Sequence, residues 1–336
     1  MPIHPGGNLC SSAPEDIDCG LRIANCGFWS AALLLRGFSL DAFPQQMKIL
    51  IIGAGGRLGA ALLREYQGKF DSTGFNHEQF DLSNLDKIRE KLGETDFDVL
   101  INAAAFTNVD LCETEPEQAF RVNAEAPGLL AEICREKNAK LIHFSTDYVF
   151  DGAKRTPYTE EDEANPISVY GESKLAGEKK VLATENRHLL VRISWVFGPD
   201  RPSFIDGMVK RAQENEKVDA VADKFSTPTY TRDIAGMLPQ FFDRDVEGGI
   251  LHFADAGRCS WQEYAQWALD CSDKAGLSLK AKTVGACKLK DMANWIARRP
   301  VYSVLSTAKY TQLTGISPRI WREAVADYIT RFYYKK

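Results

Sequence analysis

The feature that most constrains the fold of this chain is a glycine-rich loop, Gly-Ala-Gly-Gly-Arg-Leu-Gly, at residues 53–59. The loop follows a short apolar run and precedes a helical pattern. Glycines at such a turn allow a tight strand-to-helix connection and let backbone N–H groups approach a pyrophosphate at the helix N-terminus. The spacing is GxxGxxG, because Leu58 stands where the stricter GxGxxG pattern needs glycine. In this setting the loop predicts a dinucleotide-binding site.

Apolar runs and helical patterns alternate after this loop. Predicted strands cover residues 49–52, 70–75, 99–103, 140–145 and 188–194, and predicted helices cover residues 58–66, 85–92, 117–137 and 169–183. This is the βαβ rhythm of a parallel sheet. Residues 49–52 are continuously apolar, as expected for a strand that is covered on both faces. We therefore predict an α/β fold with a doubly wound parallel sheet of the Rossmann type.

The sequence pattern divides the chain into three parts. Residues 1–46 have no clear period, so we expect a disordered extension or a misassigned start codon before Met47. Residues 47–197 are the predicted dinucleotide-binding core. Residues 198–336 hold less regular helical patterns between Pro- and Gly-containing turns. We expect this last part to form mainly a smaller C-terminal substrate-binding cap, with some of it returning to the sheet.

Composition argues against several classes of protein. Lys and Arg total 41 against 46 Asp and Glu, so the net charge of −5 leaves no basic excess for a nucleic-acid partner. The apolar run at residues 28–35 is far shorter than the roughly 20 residues of a membrane helix, and we expect no membrane anchor. The eight cysteines form no CxxC pair, and their low density favours reduced thiols and a cytoplasmic location.

The choice between nicotinamide cofactors is expected at the end of the second strand. An acidic residue there would bind the ribose 2′-hydroxyl of NADH, whereas a basic residue would accommodate the 2′-phosphate of NADPH. Asn76 and His77 occupy this position, and neither is acidic. Arg57 in the glycine loop is placed to face a phosphate, with a purely solvated side chain as the alternative. The sequence therefore favours NADPH, with NADH as the second option.

Tyr170 and Lys174 are the first candidates for proton transfer. They stand at positions i and i+4 of a predicted helix and therefore share one face. A free tyrosine titrates near pH ~10, and a nearby cation stabilises its phenolate. A chain of this composition holds about one Tyr-x-x-x-Lys match by chance, so the motif alone decides nothing. Its position after the fourth strand supports a catalytic interpretation.

Two hydroxyl residues, Ser145 and Thr146, end that fourth strand. Ligands of open α/β sheets bind beyond the carboxyl ends of the strands, where a hydroxyl can donate to a substrate carbonyl. Local capping of the strand end is the alternative for both residues. Asp147 and Tyr148, which follow, are either site residues or turn residues. His143 lies within the apolar strand, and we expect it to pack in the core.

Five segments carry a resemblance to a known family. They are NAAAFTNVD at residues 102–110, STDYVFDG at 145–152, VYGESKLAGE at 169–178, RISWVFG at 192–198 and ARRP at 297–300. From Met47 to about Phe332 the chain resembles the dTDP-4-dehydrorhamnose reductase family of the extended short-chain dehydrogenase/reductase superfamily. The resemblance implies reduction of the C4 keto group of a dTDP-sugar, dTDP-4-dehydro-L-rhamnose, to dTDP-L-rhamnose.

The resemblance also implies roles for individual residues. By this similarity the catalytic residues are Thr146, Tyr170 and Lys174. The residues that hold the dinucleotide would be Gly53, Gly56, Arg57, Leu58, Gly59, Asp81, Leu82, Ala103, Ala104 and Ala105, together with Tyr170 and Lys174. The residues that contact the sugar nucleotide would be Thr107, Val109, Thr146, Asp147, Tyr148 and Trp195.

Three positions depart from the family pattern. Ser168 replaces a usual Asn and Ser226 replaces a usual Gly, which leaves the reaction type intact and puts the identity of the sugar in doubt. Some relatives are magnesium-assisted dimers, but the bridging glutamate would fall at Ala61, so the sequence does not support Mg²⁺. A homodimer stays among the expected states.

Two rival functions share these residues. A reductase or epimerase acting on another nucleotide 4-keto sugar would keep the catalytic residues and differ only in the cap. A non-catalytic, NADP-binding regulatory subunit, like the methionine adenosyltransferase β subunit, resembles the same family and keeps part of the catalytic set. The intact set of Thr146, Tyr170 and Lys174 favours catalysis.

Overall fold

The first half of the fold alternates strands with helices. The structure, a computed structural model, describes residues 47–333, so the predicted extension at residues 1–46 lies outside the described residues. The elements are β1 (Lys48–Ile52), α1 (Arg57–Tyr66), β2 (Asp71–Phe75), α2 (Leu85–Gly93), β3 (Val99–Asn102), α3 (Val109–Thr114), α4 (Pro116–Phe120), α5 (Ala126–Glu136), β4 (Lys140–Thr146), α6 (Val169–Thr184) and β5 (Leu189–Ile193). A π-helical turn, Arg121–Glu125, joins α4 to α5.

The second half has shorter strands and the remaining helices. These are β6 (Val196–Phe197), α7 (Phe204–Glu214), β7 (Val218–Val221), β8 (Phe225–Ser226), β9 (Thr229–Tyr230), α8 (Thr231–Met237), β10 (Gly249–His252), β11 (Cys259–Ser260), α9 (Trp261–Lys274), β12 (Val284–Cys287), α10 (Ala308–Thr314) and α11 (Trp321–Phe332). No helix among residues 47–333 combines the length and the apolar character needed to cross a bilayer.

Six parallel strands form the central sheet, in the order β10-β5-β4-β3-β1-β2. The chain builds outward from β1 in one direction to β2 and in the other direction to β3, β4 and β5. Such a reversal opens a crevice beyond the carboxyl ends of the strands, where ligands of this fold class bind. The predicted doubly wound parallel sheet is confirmed.

The strand β10 was not predicted from the sequence. Gly248 and Gly249 indicated a turn between helices, but the Gly248 N–H donates to the carbonyl of Asn186 at 2.9 Å and β10 then pairs with β5. A β-carbon at Gly248 would lie 2.0 Å from the carbonyl oxygen of His188, so only glycine allows this approach. The late segment 249–252 therefore forms the edge of the central sheet.

Both faces of the sheet are covered, which explains the continuously apolar strands. Ile49 and Ile51 pack on the side of α1 and α8, where Tyr66 is also buried. Leu50 and Ile52 pack on the opposite side, against α2 and α5. Every residue of β3, β4 and β5 is therefore buried whichever way its side chain points, as is typical of parallel sheets.

A separate hydrophobic cluster forms the C-terminal region. It is built from α7, α9 and α11, with Ile205, Leu269 and Trp321 buried at its centre. Small two-stranded sheets flank it, β7 with β12 and β8 with β11. The segment between Trp195 and Tyr230 enters this cluster, so the smaller region adjoins the carboxyl ends of the central strands.

Candidate active site

A cleft of about 740 Å³ lies beyond the carboxyl ends of the central strands. It brings together most of the residues that the sequence singled out: Gly53, Gly56, Arg57, Leu58, Asp81, Leu82, Ala103, Ala104, Ala105, Thr107, Tyr170, Lys174 and Trp195. Gly59, Val109, Thr146, Asp147 and Tyr148 do not line it, and the last three are buried behind its wall. Ser145, which the sequence analysis singled out, also lines the cleft, together with residues that no motif indicated, among them Gln118, Val122 and Arg201.

The glycine loop begins the cleft and needs glycine at two points. Gly53 has a φ of +84°, and a β-carbon there would lie 2.8 Å from the backbone nitrogen of Ala104. A β-carbon at Gly59 would lie 2.2 Å from the carbonyl oxygen of Gly53, so Gly59 acts through close packing of helix on loop. The N-cap of α1, Gly56, offers no side-chain cap and the first turn carries no acid. This helix N-terminus is therefore suited to an anion.

Two arginines tie the glycine loop to the segment at residues 196–202. Arg57 donates from Nε to the carbonyl of Arg201 at 3.2 Å and from Nη1 to that of Val196 at 3.3 Å, and it also bonds to the carbonyl of Pro202. Arg201 returns a bond from Nε to the carbonyl of Gly55 at 2.9 Å. Arg57 lies in the cleft as expected, but its donors are engaged with the protein backbone.

Tyr170 lies in the first turn of α6 and faces the cleft. Ser168 caps this helix, its hydroxyl accepting from the N–H of Gly171 at 3.3 Å. A β-carbon at Gly171 would lie 2.3 Å from the carbonyl oxygen of Tyr148, so glycine lets α6 pack against the segment after β4. Removal of the Tyr170 phenol from water raises its pKa well above 10, and a hydrogen bond with Thr146 opposes this rise.

Lys174 lies one turn further along α6 and is buried. Its Nζ donates to the carbonyl oxygen of Phe144 at 2.7 Å and lies 3.3 Å from Nε2 of His143. Burial lowers the pKa of Lys174 to about 8, while the charge of Glu178 opposes this shift. Lys174 therefore shares the cleft with Tyr170, but its hydrogen bonds are made to β4.

Asp147 sits behind Thr146 as a fully buried carboxylate. Its Oδ1 lies 3.2 Å from the Thr146 hydroxyl, and its Oδ2 accepts from Ser226 at 3.1 Å and from Ser303 at 2.5 Å. Burial raises the pKa of Asp147, and the ammonium of Lys224 and these hydroxyls oppose the rise. The departure from the family pattern at Ser226 thus supplies one of the hydroxyls that hold Asp147.

Lys224 is a buried cation that the sequence analysis missed. Its Nζ lies 5.1 Å from the ring centre of Tyr148, 5.7 Å from that of Trp195 and 6.0 Å from that of Trp261. It also donates to the carbonyl oxygen of Pro300 at 2.8 Å. Burial lowers the pKa of Lys224 to about 8. No motif marks this lysine, because its aromatic neighbours come from distant parts of the chain.

Two buried polar groups in the wall of the cleft have no hydrogen-bond partner within the described residues. They are the Ser145 hydroxyl and the indole Nε1 of Trp195. Trp195 also has a φ of +40°, a left-handed conformation that is costly for a bulky residue. A buried donor without an acceptor carries a desolvation penalty. Both groups therefore point to a ligand that completes the cleft.

Hydrogen bonds and an ion pair join Asp110 of α3 to the segment at residues 296–299. Asp110 accepts from the backbone N–H groups of Ile296 and Ala297, each at 2.9 Å. It also pairs with Arg299, whose guanidinium reaches its carboxylate at 2.6 Å. Val109 precedes Asp110 in the first turn of α3. The segment was recognised in the sequence, but this contact was not.

The first helix carries no acidic group at the position where magnesium-assisted relatives would have one, since Ala61 is buried in α1. Across residues 47–333, no three side chains of His, Cys, Asp or Glu come together in a way that could hold a metal ion. The residues in the cleft are suited to hydrogen bonding and proton transfer.

Known proteins are similar to this chain over most of its length. A family model described as RmlD substrate binding domain matches residues 47–334. A dTDP-4-dehydrorhamnose reductase of Mycolicibacterium smegmatis is 40% identical over 296 residues, 87% of this chain and 87% of that protein. The Streptomyces antibioticus protein named "Probable dTDP-4,6-dihydroxy-2-methyloxan-3-one 4-ketoreductase" is 36% identical over 284 residues, 84% of this chain and 94% of that protein.

A solved structure extends the likeness to three dimensions. The crystal structure of dTDP-4-dehydrorhamnose reductase from Bacillus anthracis in complex with NADP has 29% sequence identity and a TM-score of 0.79, covering 85% of this chain and 99% of that chain. The resemblance found in the sequence is confirmed: the chain belongs to the dTDP-4-dehydrorhamnose reductase family.

Proposed function

We propose that this chain reduces the C4 keto group of dTDP-4-dehydro-L-rhamnose to dTDP-L-rhamnose with NADPH, NADH being the alternative cofactor. The observation that carries the proposal is the placement of Tyr170 and Lys174 in one cleft with the glycine loop, with Thr146 buried behind its wall at the end of β4. This arrangement joins a dinucleotide site to a proton donor. The family to which the chain belongs supports the same reaction.

The geometry of the cleft suits a dinucleotide. The uncapped start of α1 would hold the pyrophosphate, and the close backbone packing at Gly53 and Gly59 fixes the loop that precedes it. When bound, NADPH supplies the hydride for C4. The residues proposed to hold it are those inferred from the resemblance: Gly53, Gly56, Arg57, Leu58, Gly59, Asp81, Leu82, Ala103, Ala104, Ala105, Tyr170 and Lys174.

Tyr170 is the proposed proton donor to the C4 oxygen. Its phenol is protonated at neutral pH, and because burial raises its pKa it gives up the proton only as negative charge develops on the C4 oxygen. We assign to Thr146 the orientation of the keto oxygen, since it ends β4 directly after Ser145, which lines the cleft. We assign to Lys174, in its ammonium form, stabilisation of the phenolate that remains and binding of the ribose.

The sugar nucleotide is proposed to bind on the side of the cleft that faces Trp195. The unpartnered Nε1 of Trp195 is a donor available to it. Thr107, Val109, Asp147 and Tyr148 complete the proposed contacts, the last two from the buried layer behind Thr146. Residues 47–197 would then supply most of the cofactor site and residues 198–336 most of the cap. A cytoplasmic location and a homodimer are further parts of this proposal.

The deciding experiment measures loss of NADPH absorbance by the full-length chain. The substrate dTDP-4-dehydro-L-rhamnose is formed in place by an upstream epimerase, and a mixture without the epimerase is the control. We expect oxidation of NADPH that depends on the epimerase and yields dTDP-L-rhamnose by chromatography. A folded chain that binds NADPH or NADH but leaves the substrate unchanged would contradict the proposal.

A second candidate is reduction of a different nucleotide 4-keto sugar. Ser226 favours it, because this hydroxyl replaces a usual glycine and bonds to Asp147 beside the site. A relative named as a ketoreductase of another dTDP-sugar supports the same alternative. The same absorbance assay with a panel of keto-sugar nucleotides separates the two candidates by their kcat/KM values. Higher kcat/KM for another sugar would replace the rhamnose assignment.

The cofactor preference gives a prediction at Arg57. We expect Arg57→Ala to raise the KM for NADPH roughly tenfold and that for NADH by less, because only NADPH carries the ribose 2′-phosphate that the guanidinium would bind. Arg64→Ala is the matched control, since Arg64 also links α1 to the segment at Asp200 but does not line the cleft. Equal rises of both KM values in Arg57→Ala would show that Arg57 only anchors the neighbouring loop.

A further inference from the structure

A chain of buried polar groups leads from the backbone to Lys174. The N–H of Ala104 donates to Oδ1 of Asn102 at 3.1 Å, and Nδ2 of Asn102 lies 3.0 Å from Nδ1 of His143. Nε2 of His143 then lies 3.3 Å from Nζ of Lys174. Asn102 and His143 are fully buried, so water does not compete for these bonds.

The direction of each bond in this chain follows from its backbone end. A backbone N–H such as that of Ala104 can only donate, so the Asn102 oxygen faces it and the Asn102 amide nitrogen faces His143. Nδ1 of His143 therefore accepts. A neutral imidazole carries one proton, and here it must lie on Nε2. The Nε2–H of His143 consequently points at Lys174.

This geometry suits only one form of Lys174. An ammonium has no lone pair and cannot accept the His143 N–H, whereas a neutral amine can. The amine keeps an N–H for the carbonyl oxygen of Phe144 at 2.7 Å. Burial holds the pKa of His143 well below its ordinary value, so the ring stays neutral and does not take up a second proton.

The charged groups around Lys174 do not reverse this preference. Glu178, on the same helix, is the carboxylate whose charge reaches Lys174. It is held by Arg192 of β5 through two bonds, at 2.9 Å from Nε and 2.6 Å from Nη2. His143 of β4 contributes only a neutral ring. The negative charge nearest to Lys174 is therefore already paired with a cation.

We propose that Asn102 and His143 are positioning residues that disfavour the ammonium form of Lys174 in the unliganded protein and so set the pH range over which Lys174 titrates. The proposal rests on the proposed function only in that Lys174 belongs to the catalytic set. Neither residue was assigned such a role from the sequence, where His143 was expected to pack in the core.

The direct test is the tautomer of His143, measured by long-range ¹H–¹⁵N correlation in the full-length protein labelled with ¹⁵N-histidine. His143→Gln identifies the signal. His188 is an internal reference, because the Leu141 N–H donates to its Nδ1 at 3.2 Å and its Nε2 lies 3.0 Å from the carbonyl of Ala131. We expect a neutral Nε2–H ring at His143 from about pH 6 to about pH 9. A proton on Nδ1, or on both nitrogens, would overturn the proposal.

The kinetic test uses kcat/KM for NADPH, which reports ionisations of the unliganded protein. The ammonium form of Lys174 supports the phenolate, so kcat/KM falls as pH rises through the Lys174 pKa of about 8. In His143→Gln the side-chain carbonyl can accept from the ammonium of Lys174. The fall of kcat/KM at alkaline pH, its alkaline limb, should therefore move up by roughly one pH unit. His188→Gln should leave the limb in place. A lower kcat without movement of the limb would mean that His143 is only structural.

The two proposals fail in different ways. The histidine tautomer is measured without any substrate, so a protein that reduces no sugar still tests the role of His143. In that case the titration of the Lys174 ¹³Cε signal in lysine-labelled protein, with and without His143→Gln, replaces the kinetic limb. An unchanged Lys174 titration in the variant would overturn the positioning role whatever the substrate.

Discussion

Replacing Tyr170 with phenylalanine is expected to lower kcat for the reduction roughly 10²- to 10⁴-fold while NADPH still binds. The change removes one hydroxyl and keeps the ring that packs edge-on against Tyr148 at 5.6 Å. Tyr148 cannot replace the lost donor, because it is buried behind the wall of the cleft. Single-turnover absorbance measures the chemical step, and cofactor fluorescence measures binding.

Tyr158→Phe is the matched control for Tyr170→Phe. Tyr158 is buried and its hydroxyl donates to Asp151 at 2.9 Å, and it is not part of the cleft. The control should keep kcat within about twofold of the unmodified protein. A hydrogen bond lost outside the cleft lowers the stability of the fold and leaves the reacting groups in place. If Tyr170→Phe kept more than about a tenth of kcat, another group would have to deliver the proton.

Glu178→Ala is expected to lower the free energy of unfolding by about 3–5 kcal/mol. Glu178 and Arg192 form a two-pronged ion pair whose side chains are 1% and 3% exposed. Removing the carboxylate leaves the guanidinium buried between the ring of Phe150, 5.1 Å away, and Nε2 of His252, 3.3 Å away. Neither neighbour carries a compensating negative charge. Urea unfolding followed by circular dichroism measures the loss.

Two comparisons show whether burial is the cause. Glu136→Ala removes a carboxylate that pairs with Arg89 at the surface, where both side chains are 51% exposed, and should cost less than about 1 kcal/mol. Combining Glu178→Leu with Arg192→Met removes both charges and should recover much of the stability lost in Glu178→Ala. Similar losses for Glu136→Ala and Glu178→Ala would contradict this account.

The fold was largely predictable because its strongest signals are local. The strand at residues 49–52, the glycine loop and the helix after it are adjacent in the sequence, and each follows from a short pattern. The strand β10 was missed for the opposite reason. Its four residues carry no period that separates them from a loop, and its pairing partner β5 lies about sixty residues earlier. Partner selection at that distance depends on tertiary packing.

The site residues also divide into those that local sequence patterns predict and those that only the packed structure identifies. Tyr170 and Lys174 are four residues apart and were found by this spacing together with their position after the fourth strand, and Thr146 was found at the end of its strand. The buried carboxylate of Asp147 is held by hydroxyls that are 79 and 156 residues away, at Ser226 and Ser303. No single-sequence pattern links such positions. The resemblance to a family located Asp147, but only the packed chain identifies what holds it.

The position of β10 at the edge of the sheet has a consequence for synthesis on the ribosome. A nascent chain that has been translated only to β5 presents that strand with an unpaired edge, and an unpaired parallel edge invites intermolecular pairing. The edge is closed only after Gly249–His252 has left the exit tunnel and docked beside Leu189–Ile193. During the interval between these two events, the growing polypeptide exposes this edge of the sheet to intermolecular pairing.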